Sequence, residues 1–487
     1  MRHVTPHVAA LAASFADAGH EFYLVGGSVR DALMGRLGSD LDFTTSARPE
    51  QIEALMRKVT SVVWDVGRAY GTVAGQISED DGSSWLVEVT TFRADSYETD
   101  SRKPAVVFGD HLGGDLLRRD FTVNAMALSM AGDDADAGLL DPFGGLADLE
   151  LRLLRTPAAP ELSFSDDPLR MMRAARFVSQ LGFQPDPDAV RAMTQMASRL
   201  EIVSAERIRD ELSKLLLGPH PREGLDLLVG TGIADIVLPE LPALRMERDE
   251  HNHHKDVYEH SLTVLEQAIG LERARGHEPD IVLRLASLLH DIGKPATRRF
   301  EPGGKVSFHH HDVVGAKMAA NRMRALKFST EQTKAVAKLI DLHLRFHGYG
   351  DQDWTDSAVR RYVRDAGDQL ERLHILTRSD CTTRNAAKAN KLRAAYEQLE
   401  WRIDELAAQE ELDAMRPDLD GNQIMETLGI GPGRDVGDAY QYLLERRIDD
   451  GPLGEESARD VLLEWWRARN SAPTSSGENP PPTTEEE

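Results

Sequence analysis

Strand-forming patterns in this chain stop at about Asp166, with some two thirds of its 487 residues still to come. Any sheet must therefore be built from the first third, and the remainder must pack helix on helix. Within that first third, Phe22–Val25 is an apolar run closed by Gly26-Gly27, the pattern of a buried strand ending in a turn. Leu41 and Phe43 alternate with Asp40 and Asp42, and a period of two puts both carboxylates on one face of a strand. Trp85–Thr90 reads as a further strand. Residues 1–150 are thus predicted to be α+β, a small mixed sheet with helices.

Beyond that point the spacing predicts an all-α neck, body and tail. Ser165-Asp166-Asp167-Pro168 reads as a helix start, and Arg170, Arg173 and Arg176 follow at i+3 spacing on one face. A helix from about Ala205 to Leu217 stops at Gly218-Pro219. Residues 385–415 read as one long amphipathic helix and 420–470 as two or three shorter ones. Gly429–Arg434 is either a backbone nest for a phosphate or a helix-breaking turn. At roughly 150 residues per domain the length suggests about three units. The expected division is a head at 1–150, a neck at 151–245, a histidine-rich body at 246–385, a helical tail at 386–470 and a low-complexity, disordered end at 471–487.

No apolar run is long enough for a membrane span, and residues 1–13 lack the pattern of an export signal. A lone Cys381 excludes an intramolecular disulfide framework and fits a reducing cytoplasm. The net charge of −24 argues against nucleic-acid binding over the whole surface, but Arg118-Arg119, Arg152 with Arg155, and the Arg170 face are local basic clusters.

A glycine pair after a buried strand lets backbone N–H groups approach a polyphosphate, and Arg30 stands one helical turn on to add a charge-assisted bond. Asp40 and Asp42 can jointly hold Mg²⁺, a hard cation suited to carboxylates and substrate phosphates, with Glu88 as a candidate third carboxylate. Each feature alone is commonplace: most Gly-Gly pairs are turns, and Asp-x-Asp is often a solvated strand face. The pattern Gly-x-Gly-x-x-Gly is absent, so a dinucleotide fold is not supported.

Taken together, Leu24-Val25-Gly26-Gly27-Ser28-Val29-Arg30-Asp31 followed by Asp40-Leu41-Asp42 resembles the opening motif of the class II tRNA nucleotidyltransferase and bacterial poly(A) polymerase family, within the DNA polymerase β superfamily. The resemblance makes Asp40 and Asp42 catalytic and metal-holding, and residues 1–150 a nucleotidyltransferase head. It continues in order along the chain. Arg118–Ala125 resembles the motif that contacts ribose and triphosphate, which implies nucleotide contacts from Arg119, Asp120 and Asn124 beside Gly26, Gly27 and Arg30. Asp141–Gly145 resembles the turn linking head to neck. Ser96–Phe108, with Asp100, Arg102 and Pro104, resembles the flexible loop used in switching to A addition.

Asp166–Arg170 resembles the family's base-reading motif, and the chemistry can be argued separately. Cytosine and adenine each present an amino donor beside a ring-nitrogen acceptor. A carboxylate at Asp167 and a guanidinium at Arg170 suit both. Uracil and guanine present the reverse and would leave groups unpaired, at about 1–3 kcal/mol each. The plainer alternative is a capped helix with an ion pair between these two residues. Arg173 and Arg176, on the same face, are assigned to the nucleotide as well, and Glu206-Arg207 resembles a motif that buttresses the neck.

In the body, His260, His290-Asp291 and Asp380 stand in the order of an HD phosphohydrolase domain, with His311 and His343 as two further ligands. Six imidazole and carboxylate donors suffice for a binuclear centre. His253, His254, His309, His310 and His347 are expected to be outlying or exposed. The resemblance implies phosphatase or 2′,3′-cyclic phosphodiesterase activity on RNA ends with Ni²⁺, Mn²⁺, Fe or Mg²⁺. The leading expectation is an enzyme that adds C, C and A to tRNA from CTP and ATP, the tail gripping tRNA by shape. Its rivals are a poly(A) polymerase, a CC-adding specialist, and an HD phosphohydrolase with an N-terminal RNA-binding module.

Overall fold

The computed structural model describes residues 6–67, 71–78, 83–93, 108–109, 111–130, 138–245, 256–302, 305–348, 354–383, 385–410 and 416–471. Among the described residues the head has seven strands: β1 (Phe22–Val25), β2 (Asp40–Thr45), β3 (Val62–Gly67), β4 (Thr72–Ser78), β5 (Ser84–Thr91), β6 (Ala127–Ser129) and β7 (Leu139–Leu140). They lie in the order β3-β4-β5-β2-β1-β6-β7, and only the β2–β5 pair is parallel. Leu41 and Phe43 turn inward, where Phe43 stacks on Phe22 at 4.6 Å and Phe22 on Phe15 at 4.4 Å, Phe15 coming from the helix Pro6–Asp17. That burial fixes β2's register and leaves Asp40 and Asp42 on the opposite, open face.

The neck departs from expectation at its entry. A short helix, Pro160–Asp166, precedes the predicted start, and the Arg-bearing helix runs Leu169–Leu181. Asp167 sits at the corner between them and still accepts a hydrogen bond from the Leu169 N–H at 3.2 Å. Later neck helices include Ala205–Leu216, close to the predicted span, with Ser204 at its N-cap.

The body helices that carry the expected ligands, or end just before them, are Val257–Ala274, Ile281–Leu289, His311–Ala325, Thr330–Leu342 and Leu370–Ser379. One apolar core runs unbroken from neck to body. At that junction the buried pair Arg284–Glu272, both from body helices, is held at 2.6 Å, and Arg284 reaches across to donate to the Leu216 and Gly218 carbonyls of the neck at 2.7 and 3.0 Å. Those are orphan acceptors at the end of the neck helix, so the pair completes a helix terminus while joining two domains. Among the described residues the all-α expectation fails in two places: Leu153–Leu154 pairs in parallel with Gln184–Pro185 in the neck, and a small hairpin, Arg299–Glu301 with Lys305–Ser307, stands in the body. Of the expected tail, the long helix Ala386–Glu410 packs into the body's core through Tyr396, Leu399, Ile403 and Leu406, and three shorter helices, Gly421–Leu428, Arg434–Asp450 and Glu455–Ser471, surround a small separate core. Gly429, left-handed at φ 66°, ends the first of these three, as the helix-breaking reading requires. The sequence after Ser471 lies outside the described residues.

Candidate active sites in the head and the body

On the open face of the head sheet, Asp42 stands in register with Glu88 across the parallel β2–β5 pair. Partners in such a pair share a face, so Asp40, Asp42 and Glu88 form one acidic triangle. Burial pushes the Asp42 carboxyl up, Arg119 opposes this, and Asp40 adds to it. Glu88 is likewise raised, by burial and then by Asp42 and Asp40. Two carboxylates whose charge is disfavoured, with a third beside them, are suited to a divalent cation.

Ser28 ties the glycine turn to this strand: its Oγ donates to the Asp40 carbonyl at 3.2 Å and accepts from the Asp42 N–H at 3.0 Å. Gly26 has φ 70°, and a Cβ there would lie 2.8 Å from Arg119 Nη1 and 3.7 Å from Asp42 Oδ2. Turn, cation and carboxylate are thus in one place. Gly26→Ala is expected to lower kcat/KM for nucleotide addition about a hundredfold by displacing Arg119 and straining the turn by about 1–2 kcal/mol. Single-turnover incorporation with a melting curve checks this; full activity would show that the turn does not border the site.

Arg119 and Arg118 both lean on Asp115, at 3.2 and 2.7 Å. Burial pushes the Asp115 carboxyl up, but the two guanidiniums hold it below the usual range. Asp115 escapes the sequence reading, although an acid three and four residues before an Arg-Arg pair is a recognisable helix signal. Asp120 accepts from Asn124 Nδ2 at 2.9 Å and faces Arg173 Nη2 at 2.7 Å, while Asn124 Oδ1 accepts from Arg30 at 2.7 Å. Against its burial, Arg173 and these bonds hold the Asp120 carboxyl down. Arg30 is further occupied by Asp31, at 2.8 and 3.0 Å. The chain Arg30–Asn124–Asp120–Arg173 therefore locks head to neck, and Arg176 pairs with Glu211 at 3.1 Å.

Arg170 is buried and donates to Ser163 Oγ at 2.8 Å and to the Arg118 carbonyl. Asp167 instead accepts from Arg207 at 2.9 Å. The simple Asp167–Arg170 ion pair is not what forms. Their side chains take different partners while the Arg170 N–H donates to the Asp167 carbonyl at 3.0 Å, and Arg170 is anchored to the residue beside Arg119. Of the loop Ser96–Phe108, residues 96–107, with Asp100, Arg102 and Pro104, lie outside the described residues; Arg93 and Phe108 at its ends pair as an antiparallel bridge.

In the body all six expected ligands converge. The donor atoms of His260, His290 and Asp380 lie within 4.8 Å of one another, as do those of Asp291, His311 and His343. Asp291 bridges the two trios, 3.3 Å from both His290 and His311 Nε2. The Nδ1 atoms of His290, His311 and His343 contact the carbonyls three residues earlier, of Ser287, Phe308 and Ile340, at 2.9, 2.8 and 2.6 Å. A carbonyl can only accept, so each Nδ1 carries a proton and each Nε2 points inward, buried and without a well-formed hydrogen bond. Burial alone would lower His290, yet Asp291 and Asp380 hold it up to about 10, while burial and that neighbour push His343 down to about 4. Inward-facing nitrogens around two carboxylates fit a pair of divalent metal ions. Lys294 closes the rim, 2.5 Å from Asp291. His309 and His310 are exposed, as expected; His253 and His254 lie outside the described residues, as does the side chain of His347.

Residues 22–155 match the poly A polymerase head domain, 182–244 the probable RNA- and SrmB-binding site of polymerase A, and 257–385 the HD domain. The chain is 35% identical over 454 residues to an A-adding tRNA nucleotidyltransferase of Deinococcus radiodurans, covering 91% of this chain and 95% of that protein. It is 42% identical over 234 residues to the CCA-adding enzyme of Bacillus subtilis, covering 48% of this chain and 54% of that one. Among solved structures, the Bacillus stearothermophilus CCA-adding enzyme in complex with CTP superposes with a TM-score of 0.64 at 25% identity, over 96% of this chain and 99% of that one. The Thermotoga maritima CCA-adding enzyme complexed with tRNA shares the fold, with a TM-score of 0.59 at 18% identity over 95% and 96%. No helix among the described residues is long and apolar enough to cross a membrane.

Proposed function

We propose that this chain, which belongs to the tRNA nucleotidyltransferase and poly(A) polymerase family, adds C, C and A to the 3′ end of tRNA from CTP and ATP and releases pyrophosphate. The observation that carries this reading is the acidic face of Asp40, Asp42 and Glu88 beneath the Gly26 turn, with Arg119 beside it and Arg170 fixed to the next carbonyl. A divalent cation, Mg²⁺ for an all-carboxylate donor set, would be held by Asp40 and Asp42 and supplies Lewis-acid activation of the tRNA hydroxyl and the α-phosphate.

The chain's own residues bind and orient. Backbone N–H groups at Gly26-Gly27 and the Arg119 guanidinium face the triphosphate, and Asp120 with Asn124 sets the sugar. Asp167 accepts from the amino group of C or A and Arg170 donates to the adjacent ring nitrogen, each held by its own partners, Arg207 for one and Ser163 for the other. Arg173 and Arg176, each paired with an acid, brace this wall from behind. Catalysis is mainly positioning and electrostatics. The tail at 386–470 grips the tRNA arm by shape, and the site of action is the cytoplasm.

A second reading is favoured by one finding: the relative covered almost end to end is named A-adding. A tRNA lacking its last three nucleotides, and one ending in CC, are offered each NTP singly and in pairs, with products resolved to one nucleotide. Extension that stops after C-C-A is the expected result. Addition of a single A to the CC end without CTP use would establish the second reading, and long A tails would sink both. At the body site we infer a binuclear phosphohydrolase acting on RNA ends, as phosphatase or 2′,3′-cyclic phosphodiesterase.

A further inference from the structure

The hairpin Arg299–Glu301/Lys305–Ser307 is not explained by packing. Its first strand is exposed at all three positions, and Phe300, 69% exposed, is the most exposed aromatic side chain of the described residues. A two-stranded ribbon that buries so little gains little stability from its sequence. A single exposed apolar residue is ordinary, but three further features set this one apart.

Position is the first. The hairpin interrupts the chain between two parts of the body centre. Gly293 lies so close to His311 that a Cβ there would be 2.2 Å from the His311 carbonyl. Lys294 touches Asp291 at 2.5 Å and lies 5.8 Å from the ring of Phe308, at the hairpin's exit. Phe300 pairs with Val306, two residues out from Phe308, or about 7 Å along the strand.

Charge is the second. Residues 294–308 carry Lys294, Arg298, Arg299 and Lys305 against Glu301 alone, in a chain whose net charge is −24. Among the described residues neither Arg298 nor Arg299 makes an ion pair; Arg298 instead lies over the Phe300 ring at 4.8 Å. The third is chemistry. An aromatic face backed by a guanidinium and flanked by unneutralised cations is how proteins hold an unpaired nucleobase and its phosphates.

We propose that Phe300, with Arg298 and Arg299, is a stacking platform that delivers the single-stranded 3′ end of an RNA to the body's metal centre. Phe300 stacks on a base near the terminus, and Arg299 neutralises a backbone phosphate. The proposal rests on the phosphohydrolase reading of that centre and assigns its substrate class: an oligonucleotide end rather than a free nucleotide.

The full chain, loaded with Mn²⁺ or Ni²⁺, is assayed on a short RNA ending in a 2′,3′-cyclic phosphate and on p-nitrophenyl phosphate, which has no neighbouring base. Phe300→Ala is expected to raise KM for the RNA about tenfold with kcat within twofold, and to leave the ratio of kcat to KM for p-nitrophenyl phosphate within twofold; Phe300→Trp restores the RNA KM. Equal loss on both substrates would overturn the platform. In a parallel experiment an RNA with 4-thiouridine at its penultimate position is photo-crosslinked to the protein and the attachment mapped by mass spectrometry. A crosslink in residues 298–308 that Phe300→Ala removes supports the platform, and its absence counts against it. If the parent protein hydrolyses neither substrate, the phosphohydrolase reading fails and the crosslink alone decides the platform.

Discussion

Asp42→Asn is expected to abolish nucleotide addition, with a fall of about 10⁴-fold or more in the single-turnover rate. The substitution keeps the side chain's shape, so β2 and its register survive, but it removes one of three negative charges from the acidic triangle. Asp42 is the member that faces both Arg119 and Glu88. Losing a metal-holding carboxylate removes Lewis-acid stabilisation worth several kcal/mol, and about 5.5 kcal/mol corresponds to the expected factor. tRNA affinity should change little, because the tail and neck surfaces are untouched. Hydrolysis at the body site should also persist, since its six candidate ligands come from other elements. Gel-resolved incorporation, a tRNA-binding titration and the phosphatase assay on one preparation check all three. Addition that survives within tenfold of the parent would remove Asp42 from the catalytic centre; loss of both activities would mean the two sites are not independent.

The residues of both centres are legible in the sequence to different depths. β1 and β2 announce themselves because an apolar run and a period-two alternation are local properties of a chain. β3 and β4 do not: Asp65 interrupts one, and Gly75-Gln76 the other, and their strand character comes from cross-strand partners. Glu88 can be suspected but not placed, since its membership of the triangle depends on register between strands 46 residues apart. The i+3 spacing of Arg170, Arg173 and Arg176 establishes their common face. Their separate partners, the Arg118 carbonyl, Asp120 and Glu211, are tertiary facts. The Pro160–Asp166 helix escapes a local reading because Asp167-Pro168 looks like a beginning, when it is a corner between two helices.

The body centre shows the same division and leads to the second large effect. Order along the chain points to six candidate ligands, but only the fold sorts them into two trios with Asp291 between. Asp291 contacts His290, His311 and Lys294, and burial would raise its carboxyl were those groups not holding it well below the usual range. Asp291→Asn is therefore expected to do more than any single histidine replacement. It removes the charge shared by both trios and leaves the half-buried Lys294 without its carboxylate partner. Bound divalent metal, measured after dialysis, should fall from about two ions per chain to less than one, and phosphohydrolysis by about 10³-fold or more. His343→Gln, which touches one trio only, should retain part of the metal. Nucleotide addition by both variants should stay within about twofold of the parent, because the core shared by neck and body is pinned elsewhere, by Arg284 and Glu272. Full metal retention in Asp291→Asn would show that the carboxylate is structural, and a comparable fall in nucleotide addition would show that the body centre supports the head through the neck.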